Sequence, residues 1–154
     1  MDALAILPAA PTREQIQAAQ RLLLDAEGSG AGVELLHWHH YAEGQMARTV
    51  LIEAGTCLAG AAHLTEHLCI CAGDITIWTE GGCTRLTGYH VLRSLPGAER
   101  IGMAHADTWF TTIHLNPDNC TDERELERRL IANPEQLQCN RYALPAAPPM
   151  EALQ

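Results

Sequence analysis

Apolar residues recur at helical spacing in only two stretches of this chain and fall into short runs between them. The first stretch, residues 12–27 (TREQIQAAQRLLLDAE), sets Ile16, Ala19, Leu23 and Ala26 on one stripe and predicts an amphipathic helix. Thr12 supplies an N-cap oxygen, Gln15 completes a capping box, and Gly28-Ser29-Gly30 ends the helix. The second stretch, 121–132 (TDERELERRLIA), starts on Thr121 as cap and places Asp122 and Glu123 at the positive end of the helix dipole. Glu125 reaches Arg128 and Arg129 at helical spacing, and Asn133-Pro134 stops the helix.

Between the helices, residues 33–115 read as β-structure. The short segments VELLHWHHY, ARTVLIEAG, LCIC, DITIW, TRLTGYHVL and DTWFTTIHL are rich in β-branched and aromatic residues. Turn signals separate them: Glu43-Gly44, Ala54-Gly55, Ala72-Gly73-Asp74, Glu80-Gly81-Gly82, Pro96-Gly97 and Asn116-Pro117-Asp118. Even spacing of short strands predicts an antiparallel sandwich or barrel, and no helical stretch interrupts them to make a doubly wound fold. The expected organisation is one domain in three parts: an arm and helix over 1–32, a barrel over 33–117, and a helix with a Pro-rich tail over 118–154.

Composition narrows the partners. A net charge of -9 opposes broad binding to a phosphate backbone, so no nucleic acid is expected. No apolar run reaches the ~20 residues of a membrane span, and MDALAILPAAP lacks the basic start of a signal peptide. A cytoplasmic protein is expected. On that footing Cys57, Cys69, Cys71, Cys83, Cys120 and Cys139, with no CxxC pair among them, read as reduced thiols. GxSxG, P-loop and GxGxxG motifs are absent, and Ser29 and Ser94 are the only serines.

Histidines carry the candidate chemistry. His63-Leu64-Thr65-Glu66-His67 matches the HxxEH zinc-protease pattern, but that pattern needs a helix, and LCIC followed by Gly73-Asp74 reads as strand and turn. On an extended segment, residues four apart share a face, so His63 and His67 either point inward to a metal or line a barrel mouth as ordinary polar groups. In WFTTIHL, alternation puts Phe110, Thr112 and His114 on one face. His114 then either completes a three-histidine site or is a hydrogen-bonded strand residue. His37 and His39 share another strand face, where a chelate and a solvent-facing edge are both open readings. Arg100 and Asp107, and separately Arg48, suit an anion site or an internal ion pair.

The stretches GTCLAGAAHLTEHLCICAGDITI and SLPGAERIGMAHADTWFTTIH resemble the two motifs of the cupin family. Gly55, Gly60 and Gly73 stand where the glycines of the first motif fall, and His63 matches the second histidine of its HxH pair. His67 stands in place of its glutamate and Ala61 in place of its first histidine. Pro96-Gly97 matches the turn of the second motif, with Arg100 where a histidine would be. ARTVLIEAGT, HLTEHL, GDI, LPGAERIG and DTWFTTIH also resemble small cupin-like proteins of bacteriophage and prophage genomes.

The resemblance implies an all-β, antiparallel jelly-roll barrel with an N-terminal and a C-terminal helix. Strand-face parity and the partial motif together give the expected site: a divalent metal (iron, zinc, manganese or nickel) on His63, His67 and His114, with Arg100 and Glu66 beside the bound group. Three roles follow: a metal- or small-ligand-binding cupin, a metal-dependent isomerase or oxygenase, and a non-catalytic virion or assembly protein with other phage proteins as partners. For a phage protein the location is host cytoplasm or virion. A homodimer or larger homo-oligomer is expected, through a sheet face carrying Val50, Ile52, Ile75 and Ile77 and through the arms at 1–11 and 143–154.

Overall fold

The computed structural model describes residues 7–26, 35–132 and 134. The Gly28-Ser29-Gly30 stop, Cys139 and the arm segments 1–6 and 143–154 lie outside the described residues. Helix α1 spans Arg13–Ala26. It begins with the expected capping box: Thr12 N–H donates to Gln15 Oε1 at 2.9 Å and Gln15 N–H to Thr12 Oγ1 at 3.3 Å.

Six strands follow: β1 (Leu36–Ala42), β2 (Gln45–Ile52), β3 (Cys57–Gly60), β4 (His67–Thr79), β5 (Gly82–Ser94) and β6 (Arg100–Leu115). All pairings are antiparallel, in the order β1-β2-β6-β4-β5, with β3 on β6. The sheet curves without closing into a full barrel. The Glu43-Gly44 and Glu80-Gly81 turns form the β1–β2 and β4–β5 hairpins as predicted.

The LCIC and DITIW segments differ from expectation, since they are one strand. Ala72-Gly73-Asp74 is not a turn but a bulge, where the β4–β6 register shifts. Gly73 permits it: a Cβ there would lie 2.6 Å from the Thr108 Cα. β3 and the first half of β6 are strands that the sequence pattern does not announce.

The sheet has two apolar layers. Val50, Ile52, Cys71, Ile75 and Ala104 fill its concave side, with Leu58, Ile77 and Phe110 packed against them. Val50, Ile52, Ile75 and Ile77 are therefore core residues and not an exposed oligomer face. On the opposite side, Ile16 and Ala19 of α1 bury Ile101 against Cys57, Ala59 and Trp78.

Helix α2 spans Glu123–Leu130. Its cap is Asp122 and not Thr121, because the Asp122 carboxylate accepts from Arg124 N–H and Glu125 N–H. Glu125 pairs with Arg128 and Arg129 as expected. Past the helix, Ile131 turns extended and bridges to His63. No helix among the described residues is long and apolar enough to cross a membrane.

Candidate metal centre

Three elements deliver three imidazoles to one end of the concave face. His67 opens β4, and His114 lies near the end of β6, one place beyond the Leu68–Ile113 pair. Strand alternation alone puts both on the same side as Cys69 and Thr112.

His63 arrives by a different route. Leu64 and Thr65 bend, so His63 shares no strand face with His67; the shared parity expected from the sequence is not what brings them together. Three backbone bonds hold the loop instead. Gly97 N–H donates to His63 O at 2.8 Å, Leu64 N–H to Leu130 O at 2.8 Å, and Ala132 N–H to Ala62 O at 2.9 Å. The Pro96-Gly97 turn and the end of α2 thus fix the loop from two sides. The HLTEH run is not helical, which removes the zinc-protease reading.

The three rings stand 4.4, 4.9 and 4.4 Å apart by centroid, and one ligand atom from each lies within 4.8 Å of the others. Metal–nitrogen bonds of about 2.1 Å bring ligand atoms to about 3.3 Å from one another, so small ring rotations close the set. The donor atoms fit such an ion. His67 Nδ1 lies 2.9 Å from Thr65 O, which as the donor side fixes the tautomer with a lone pair on Nε2. His67 Nε2 and His114 Nδ1 are buried with no hydrogen-bond partner among the described residues. Buried polar atoms left this way are rare unless water or a bound ion takes them up.

Electrostatics keep the cluster neutral. Burial, then the neighbouring His67 and His114, pushes the His63 pKa down to about 3. Burial and His67 push His114 down to about 4. Burial also lowers His67, against the Thr65 carbonyl bond. Neutral imidazole is the form that ligates. Arg48 and Arg100 each add positive potential at His63.

Arg100 sits at the start of β6 and donates a short hydrogen bond to Ser94 Oγ. It does not meet Asp107, which is exposed seven residues along the same strand and accepts from Ala54 N–H at 2.9 Å. Glu66 stands outside the cluster: it is exposed and its carboxylate pairs with Arg93 at 3.6 Å. Its parity is that of Leu68, opposite to His67, a signal the sequence already contained. Cys69 is buried on the site's face, and burial pushes its thiol up against the opposing effect of Arg100, so it stays protonated. His90 and His105 bond to Thr87 O and Thr76 Oγ1 on the exposed surface. A second convergence adds Glu123, which sequence spacing cannot associate with them, to the His37–His39 pair expected on one strand face.

No family model matches the chain. No curated protein matches it. Solved structures do. A cupin-2 domain protein of Shewanella frigidimarina is 14% identical, with a TM-score of 0.45, over 60% of this chain and 91% of that one. A cupin superfamily protein of Desulfitobacterium hafniense is 13% identical, with a TM-score of 0.45, over 53% of this chain and 77% of that one. Salicylate 1,2-dioxygenase of Pseudoaminobacter salicylatoxidans is 13% identical, with a TM-score of 0.48, over 79% of this chain and 37% of that one.

Proposed function

We propose that this chain is a cupin-like jelly-roll protein that holds a divalent first-row metal on His63, His67 and His114 and offers it to an anionic small ligand. One observation carries the reading: two buried imidazole nitrogens, His67 Nε2 and His114 Nδ1, face a three-ring cluster with no other partner among the described residues. Three neutral ligands and open positions suit Lewis-acid or oxygen chemistry at the ion. This chain's own part is to bind, orient and exclude water.

The charge of the ligand follows from the donor set. Three imidazoles cancel none of a dication's charge, and Arg48 and Arg100 add positive potential at His63. Such a centre favours an anion, with a carboxylate as the simplest class. The motif resemblance supports a phage or prophage origin for the protein. The experiment is metal analysis of untagged protein after dialysis against zinc. His67→Asn/His114→Asn should remove one equivalent from a chain that stays folded. Unchanged metal content in that variant would refute the reading.

A further inference from the structure

His37 and His39 alternate along β1, so both imidazoles stand on the concave side of the sheet. His37 is buried, and the two rings meet edge to face at 5.5 Å. Glu123, the first residue of α2, lies over this strand. Its Oε1 is 3.1 Å from His39 Nδ1, and one ligand atom from each of the three residues lies within 4.8 Å of the other two. The His39 side chain is 7% exposed and that of Glu123 35%, so the group is closed on the sheet side and open on the helix side.

We propose that His37, His39 and Glu123 form a second divalent-cation site, of a two-imidazole, one-carboxylate type suited to zinc and similar borderline ions. The 3.1 Å contact joins His39 Nδ1 to the Glu123 carboxylate, and the buried His37 brings a third donor of metal-ligand type to the same point. The carboxylate cancels one of the ion's charges, unlike the all-neutral centre formed by His63, His67 and His114. The positive end of the α2 dipole opposes a cation there. The Asp122 carboxylate, which caps two N–H groups of that end, offsets it.

The position of the site gives it a structural role. It would clamp the start of α2 onto β1, while the far end of the same helix is hydrogen-bonded to the loop that carries His63. A bound ion then restrains α2, which reaches from β1 to the loop that carries His63. This site stands or falls independently of the three-histidine centre.

Equilibrium dialysis of metal-stripped, full-length protein against zinc, with the bound metal counted by mass spectrometry, tests it. Wild type should bind two equivalents. His67→Asn/His114→Asn should keep one, and His37→Asn/His39→Asn should keep the other. Glu123→Gln, a milder change at a half-exposed residue, should weaken one equivalent at least tenfold and serves where the double variant does not fold. Cobalt substitution should give two visible absorption components, one of them lost in Glu123→Gln. A wild type that binds a single equivalent, all of it lost in His67→Asn/His114→Asn, would overturn the proposal. So would zinc binding in Glu123→Gln indistinguishable from wild type. If the three-histidine centre is the one that fails, His67→Asn/His114→Asn and wild type bind alike while Glu123→Gln still loses its equivalent.

Discussion

Acidifying the metal-stripped protein from pH 7 to pH 5 should remove a large share of its stability. His63 and His114 have folded pKa values of about 3 and about 4, while an unfolded histidine titrates near 6.5. Below pH 6.5 the unfolded chain therefore takes up protons that the folded chain refuses. Stability from these two residues is present above that pH and is lost as pH falls toward about 4. At pH 5 each imidazole favours unfolding by about 2 kcal/mol, against about 0.2 kcal/mol at pH 7. The pair together contributes a loss of about 4 kcal/mol, comparable with the whole stability of a marginal domain. His67 pulls in the same direction. Urea unfolding followed by fluorescence of Trp38, Trp78 and Trp109 at a series of pH values measures the loss. His63→Asn/His114→Asn should flatten the profile by about that amount, and saturating zinc should also protect the wild type near pH 6. If wild type and variant lose stability in parallel, the histidines are not held neutral by burial and the account of the cluster fails.

Two further outcomes are expected. Gly73→Ala forces a Cβ to 2.6 Å from the Thr108 backbone and should cost about 3 kcal/mol or more, seen as a large fall in Tm, because backbone cannot move aside as a side chain can. The outer face of the sheet exposes Leu68, Tyr89, Val91 and Trp109, with Leu68 across from Arg93 and Tyr89 and Trp109 both paired to Ala72. A contiguous patch of this kind suits a second copy of the chain. Light scattering should give twice the 16.8 kDa chain mass, reduced to one chain in Leu68→Glu/Val91→Lys; a wild-type mass of one chain refutes self-association.

What the sequence disclosed were features with local causes. The Thr12–Gln15 box is decided within four residues, and the two-residue turns at Gly44 and Gly81 need positive φ, which the glycines supply (73° and 76°). Alternation in WFTTIHL oriented His114 correctly. The misses have non-local causes. Ala72-Gly73-Asp74 has the composition of a turn, but pairing with both β5 and β6 keeps β4 running and bends it instead. Val50, Ile52, Ile75 and Ile77 alternate as any half-buried strand does, and alternation does not say which side becomes the core. Glu123 reads as a dipole-compensating acid, and 84 residues separate it from His39; only the docked helix reveals the pairing. His63 reached its expected neighbours through a loop whose anchors, Gly97, Leu130 and Ala132, lie far downstream.

Those anchors have a consequence for biosynthesis. A chain emerging from the ribosome exposes His63 and His67 early, and His114 about fifty residues later, by which point the strands that orient His67 and His114 can pair. His63 still lacks two of its three tethers until residues 130 and 132 appear. A product truncated between Asn116 and Asp122 would keep the strands of the sheet yet leave His63 on a loop held by the Gly97 bond alone. Tight metal retention would then report that translation had run through α2, and an incomplete chain would release its ion readily.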